Sequence, residues 1–249
     1  MQFIHTPKNK QSAGNFNQGE IEELRPIMLD EALPHLKPHS NLFYWANAWA
    51  NRTSTIGLHP HKGFEILSFV LKGTIEHYDT KLRTWISLKA GDVQIIRSGN
   101  GISHSEKINE GGEMFQIWFD PHLQKSVGMP ASYDDYAAED FPISEENGIK
   151  TRFLKGENAP IEMLSEGVEI FEMKIADNVQ AISFSKDKIY ACFVLSGSLK
   201  VEGNSINDHD FFKVWDTEKF CFTENENLKL FVIATPAKLS YVTYAQRWA

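Results

Sequence analysis

A chain of 249 residues, 42% hydrophobic, with a formal charge of −8, has the length for one large domain or two small ones and the composition of a packed globular protein. Sixteen glycines and ten prolines fall well below collagen-like or low-complexity content, and 23% charged residues of both signs argue against global disorder. The acidic balance argues against direct nucleic-acid binding, which rests on neutralising phosphates.

In chain order, residues 1–20 are polar and lack the apolar stretch of an export signal. Lys8 and Lys10 read as part of a solvated arm. Residues 19–36 form the best helical candidate of the first half, limited by Pro26 and Pro34. Short β-rich runs follow at 64–71, 74–78, 84–88, 93–97 and 114–119. Turn residues separate them: Lys72-Gly73, Ala90-Gly91-Asp92, Ser98-Gly99-Asn100-Gly101 and Glu110-Gly111-Gly112. Such spacing predicts a sandwich or barrel. Gly99 and Gly101 are expected to need positive φ or close backbone approach. The longest apolar runs, 64–71 and 228–234, fall far short of the roughly 20 residues that cross a bilayer. The chain is therefore expected in the cytoplasm, with no membrane partner, and Cys192 and Cys221 read as two buried thiols.

Residues 128–167, with Pro130, Pro142, Pro160 and many acidic side chains, read as a junction. A second β-series follows at 168–176, 180–185, 190–195, 198–202, 211–215, 219–223 and 228–235. The two series are related. Phe69-Val70-Leu71-Lys72-Gly73-Thr74-Ile75-Glu76 matches Phe193-Val194-Leu195-Ser196-Gly197-Ser198-Leu199-Lys200 at an offset of 124. Asp92-Val93-Gln94-Ile95-Ile96 matches Asp210-Phe211-Phe212-Lys213-Val214 at 118. Repetition of this kind predicts an all-β chain of two similar domains, residues 1–127 and 168–249, with few short helices.

The chemistry gathers around three histidines. His59 and His61 stand two apart, as do His104 and Glu106, so on extended strands each pair presents both side chains to one face. Two neighbouring strands of this kind close a set of three imidazoles and one carboxylate, which suits a divalent transition metal. An octahedral iron held so keeps about two positions open. His5, His35, His39, His77, His122 and His209 read as hydrogen-bonded core or surface residues. Aligned on the repeat, His59 and His61 fall on Ser183 and Ser185, and His104 on Phe222, which predicts one metal per chain, in the first domain. Phe64, Phe115 and Phe119 are candidates, by alternation, to line a pocket beside it.

The segments His59-Pro60-His61-Lys62-Gly63-Phe64-Glu65, Gly91-Asp92-Val93-Gln94 and Ser98 to Glu106 resemble the signature of the pirin family, within the cupin superfamily. The resemblance is densest over residues 55–120. It implies a bicupin of two tandem cupin barrels, with one metal, usually iron(II), on His59, His61, His104 and Glu106. Many cupins instead use a glutamate four residues after the second histidine, where Glu65 stands. In pirins the carboxylate comes from the His-x-Glu segment, so Glu106 is the expected ligand, and Glu65 is kept as a residue that supports the ligands from behind.

For function the resemblance implies two readings. In the first the chain is a dioxygenase that opens a ring of quercetin or a related flavonol with O2, with Glu106 as general base. In the second it is a redox-responsive metal-binding regulator that acts through a protein partner. An open, aromatic-lined cavity favours the enzyme; a closed site beneath a charged surface favours the sensor. A storage role is disfavoured by the intact ligand set. Two barrels in one chain satisfy the pairing that single cupins make as dimers, so a monomer is expected.

Overall fold

The computed structural model describes residues 1–247. Strands dominate, and the helical segments are single 3-10 turns and the four-residue α-turns Leu123–Ser126 and Tyr244–Arg247. Among the described residues no helix is long and apolar enough to cross a membrane.

The chain divides into two compact units. One comprises residues 12–140, 163–165 and the C-terminal stretch from Ser240. Its larger sheet has seven antiparallel strands in the order Ser132–Tyr136, Val93–Arg97, Glu65–Lys72, Glu113–Phe119, Leu42–Ala50, Ile21–Ile27 and Ser12–Phe16. Its smaller sheet runs Ser54–His61, Ile102–Ile108, Thr74–Asp79, Trp85–Lys89. An apolar cluster joins the two sheets: Ile21, Val70 and Met114 from the larger, Ile75, Leu88 and Ile108 from the smaller. Each such side chain, fully buried, contributes about 1.5–3 kcal/mol.

Side chains two residues apart share a face. One step along the same strands, the inner surface therefore turns polar, at Ser68 beyond Val70, Gln116 beyond Met114, Glu106 beyond Ile108 and His77 beyond Ile75. Ser68, His77 and Glu106 are all buried. The barrel interior is thus half apolar core and half polar chamber.

The other unit comprises residues 1–11, 141–162 and 166–239. Its main sheet runs Gln2–Thr6, Phe211–Trp215, Lys188–Val201, Glu224–Pro236, Glu169–Ile175, Ile149–Lys155, Ile143–Glu146. Asn204–Ile206 also pairs with Lys188–Val201, and Ala181–Ser183 pairs with Lys219–Cys221. Cys192, Val194, Phe212, Phe220, Phe222 and Val232 pack in one apolar cluster of its interior. The expected strands 190–195 and 198–202 are one continuous strand that bulges around Gly197. A Cβ there would lie 2.2 Å from the Glu226 carbonyl oxygen, and φ is +81°, so glycine is required.

Several expectations are corrected. The helical candidate 19–36 is the strand Ile21–Ile27 followed by a 3-10 turn at Pro34–Leu36. Pro26 is accommodated because the pairing with Leu42–Ala50 shifts register between Leu24 and Ile27, where the missing N–H costs no ladder bond. The junction 128–167 contains three strands. Ser132–Tyr136 extends the first sheet, and Ile143–Glu146 and Ile149–Lys155 form a hairpin of the second unit. Residues 1–11 belong with the second unit, because Gln2–Thr6 pairs with Phe211–Trp215. Cys192 is buried but Cys221 is exposed, since Phe220 takes the inward face of its short strand. Of the C-terminal stretch, Tyr241 Oη donates to the Asp120 carbonyl at 2.7 Å, and Tyr244 packs 5.8 Å from the rings of both Phe43 and Phe64. Trp248 and Ala249 lie outside the described residues.

Candidate metal centre

Two features aim the histidines. The pairing of Ile102–Ile108 with Ser54–His61 sets His104 opposite His59 and Glu106 opposite Ile56. Three steps on one strand face two on the other, and this bulge at Gly57-Leu58 turns His59 and His61 to the face that carries His104. The Ser98–Gly101 turn then fixes where the His104 strand begins. Gly99 has φ +47°, a Cβ there would sit 2.4 Å from the Met129 carbonyl oxygen, and the Asn100 amide donates to that same oxygen at 2.7 Å. Gly101 has φ +134°.

One ligand atom from each of His59, His61 and His104 lies within 4.8 Å of the others. A point therefore exists about 2.8 Å or less from all three, which small side-chain movements close to the ~2.1 Å of a metal–imidazole bond. Among the described residues this is the one such group of three or more His, Cys, Asp or Glu side chains. The ring centres are 4.5 to 4.8 Å apart.

The rings present lone pairs rather than protons. His59 Nδ1 contacts the Gly57 carbonyl oxygen at 2.8 Å; a carbonyl only accepts, so Nδ1 carries a hydrogen and Nε2 is the nitrogen left to serve as a ligand. His61 Nε2 and both nitrogens of His104 are buried without a hydrogen-bond partner. Burial, followed by the neighbouring His104 and His59, pushes His61 down to about 3. Burial, then His59 and His77, pushes His104 down to about 3. The orphaned nitrogens of His61 and His104, converging with His59 on one point, are a poor arrangement without an electrophile and the donor set of a transition-metal site with one.

Glu106 lies in the same chamber, buried, but outside the histidine group. Ser68 Oγ donates to its Oε1 at 3.0 Å, Gln94 Nε2 reaches the same oxygen at 3.4 Å, and Gln116 Nε2 donates to Oε2. Trp118 Nε1 in turn donates to Gln116 Oε1 at 3.3 Å. These four neighbours come from the larger sheet and hold the carboxylate facing the histidines of the smaller one. Sequence reasoning did not single out Ser68, Gln94 or Gln116 for this role.

Glu65 is a correction. It is buried, but its oxygens accept from the Leu164 amide at 2.6 Å, the Ser165 amide at 2.8 Å and Ser165 Oγ at 2.5 Å. It therefore anchors residues 163–165 instead of supporting a ligating histidine. His209 sits in a turn at φ +64° beside Asp208.

A cavity of about 410 Å³ is lined by His59, His61 and Glu106 together with Phe16, Tyr44, Ile56 and Trp118. None of Phe64, Phe115 and Phe119 lines it. Phe115 and Phe119 have the opposite parity to Gln116 and Trp118, so they point to the other face of the strand. Glu23 and Arg25 complete the wall. Tyr44 Oη donates to Glu23 Oε2 at 3.0 Å, and burial first, then the charge of Glu23, raises the phenol so that it stays protonated.

Residues 10–119 match the family model described as Pirin. Over 108 residues, 42% of this chain, the sequence is 35% identical to Pirin-like protein 2 of Arabidopsis thaliana, and the match spans about a third (32%) of that relative's length. Over 199 residues it is 23% identical to a quercetin 2,3-dioxygenase of Escherichia coli, covering 72% of this chain and 76% of the relative. Among solved structures, the bacterial pirin YhhW of Escherichia coli in complex with nickel(II) superposes with a TM-score of 0.76 at 19% identity, over 95% of this chain and all of that one. Fold and matches together define a bicupin, two cupin barrels in one chain. Within that fold, residues 10–119 are the part that is similar to the Pirin family.

Proposed function

We propose that this chain is a mononuclear metal-dependent dioxygenase of flavonol-type substrates, with His59, His61 and His104 as neutral ligands and Glu106 as the anionic one. The observation that carries the reading is the convergence of orphaned imidazole nitrogens on an aromatic-walled cavity. A relative that acts on quercetin and a fold neighbour that holds nickel(II) support it. A divalent metal, iron(II) in this reading, supplies Lewis acidity and an electron path to O2.

The chain's own groups do the rest. Trp118, Tyr44 and Phe16 offer flat apolar walls to a fused aromatic ring system, and Ile56 adds an aliphatic one. Glu106 accepts the proton of the substrate's enolic hydroxyl at a carboxylate oxygen, helped by the donors Ser68 and Gln116 that fix its orientation. Burial of the chamber keeps water from competing at the reacting end. The cavity, open to a small molecule, favours this over the regulatory reading, which needs a closed site.

The test is oxygen uptake by protein loaded anaerobically with iron(II) and given quercetin. Uptake is expected in the parent, lost in His104→Ala, and reduced at least tenfold in Glu106→Gln that retains metal. No uptake from a chain shown to hold one iron refutes the dioxygenase reading.

A further inference from the structure

His77 and Asp79 have no part in the site as described, yet they share its inner surface. Their strand pairs with that of His104 so that Asp79 stands opposite His104, and His77 opposite Glu106. Both side chains are fully buried. Asp79 Oδ1 accepts the amides of Lys81 at 2.7 Å and Leu82 at 2.8 Å, and Oδ2 lies 2.9 Å from His77 Nε2. Burial alone would raise this carboxyl, but those amides and His77 outweigh it and hold it below its ordinary value. It is therefore an acceptor, so His77 Nε2 carries a hydrogen, and Nδ1 is the position at which this tautomer accepts.

That nitrogen is buried and has no partner. The ring cannot swing to find another, since it lies stacked on Tyr133 at 4.5 Å and 15°. The ring centre of His104 is 5.7 Å away. Two imidazoles joined by an N–H···N bond of about 2.9 Å have centres roughly 5.2 Å apart, so an approach of about half an ångström makes the bond. The requirement is reciprocal. Both nitrogens of His104 are buried without partners, and a metal uses one lone pair, leaving the other nitrogen as a buried N–H in need of an acceptor.

We propose that Asp79 and His77 form a relay behind His104: the N–H of His104 that faces away from the metal donates to His77 Nδ1, and His77 Nε2–H donates to Asp79. His77 and Asp79 are positioning residues. They select the His104 tautomer, fix its ring plane and make it a stronger donor. This rests on His104 being a metal ligand. Supporting partners of this kind are worth about 10- to 100-fold in metal affinity.

The test uses zinc alone as the probe, on full-length protein labelled with 15N in histidine. In the zinc-loaded protein the relay predicts His77 protonated at Nε2 only, and a nitrogen–nitrogen coupling through the hydrogen bond between His104 and His77 Nδ1. Competition with a chromophoric chelator should show His77→Phe, which keeps the stacking on Tyr133, binding zinc 10- to 100-fold more weakly. Zinc that leaves the resonances of His59, His61 and His104 unmoved overturns the metal site and the relay with it. Zinc bound at those three with His77 Nδ1 protonated overturns the relay alone, on the parent protein and independently of how the variant folds. So does an affinity of folded His77→Phe within twofold of the parent.

Discussion

Acid should undo the metal-free protein through His104, and the size of the effect follows from its burial. The ring is fully buried and its pKa is pushed down to about 3, against 6.5 for an unperturbed histidine. A base whose folded pKa is depressed contributes stability that is complete above the unfolded value and is lost as the pH falls. The window here runs from about 6.5 down toward 3, where the unfolded chain takes up a proton that the folded chain refuses. Between pH 7 and 5.5 the loss from this one ring is about 1.3 kcal/mol. His61 moves in the same direction, with a smaller effect because its ring is only partly buried. The assay is urea denaturation of metal-free protein at pH 7 and 5.5, for the parent and for His104→Gln, with the pH-dependent difference between the two as the readout. His104→Gln should lose about 1.3 kcal/mol less than the parent across that interval. Equal losses would refute the argument that His104 is held neutral by the fold. Zinc should shift the parent's stability upward at pH 7 and progressively less at pH 5.5, since protons and metal compete for the same lone pairs.

Two further perturbations test how the chamber is built. Glu65→Ala leaves the Leu164 amide, the Ser165 amide and Ser165 Oγ without their acceptor in a buried place, and should cost about 3 to 5 kcal/mol in denaturant unfolding; a loss below 1 kcal/mol would return Glu65 to a role in the site. Gly99→Ala must either press a Cβ against the Met129 carbonyl oxygen or open the turn ahead of His104. It should lower stability by about 1 to 3 kcal/mol and weaken zinc binding together, and unchanged zinc affinity would show that the turn does not position the ligand strand.

The strands bearing Glu65–Lys72, Thr74–Asp79 and Val93–Arg97 were legible because each is a short run of β-formers ended by glycine turns. The clustering of His59, His61 and His104 was legible for the same geometric reason, since a spacing of two on a strand puts two side chains on one face. The rest was hidden for specific causes. Residues 21–27 show no alternation, because Glu23 fills the buried position after Ile21 and the apolar Ile21, Leu24 and Ile27 stand three apart, and Pro26 added a further objection to a strand. Their strand became clear only when the bulge opposite Leu42–Ala50 removed the objection to a proline. The hairpin at Glu146-Asn147-Gly148-Ile149 carries the Asn-Gly pair that favours a two-residue turn with both φ values positive, and Asn147 and Gly148 have φ +51° and +78°. That signal was present and was outweighed by the surrounding prolines and acids. Ser68, Gln94 and Gln116 could not be read as partners of Glu106, because the seven-stranded sheet brings them there from three separate strands. His77-x-Asp79 was different. It obeys the spacing rule that exposed His59 and His61, but His77 was read as a hydrogen-bonded core or surface residue, and its place beside the site emerged only from the register with His104.

The central claim is that one metal sits on three imidazoles of the first barrel beside the Glu106 carboxylate. X-ray absorption at the metal edge, on protein given one equivalent of nickel(II) and on His104→Ala treated alike, tests it most directly. The account predicts one bound metal per chain, with the scattering of three imidazoles plus oxygen donors in the parent and of two imidazoles in the variant. Fewer than three imidazoles in the parent, or the same spectrum from both proteins, would contradict it.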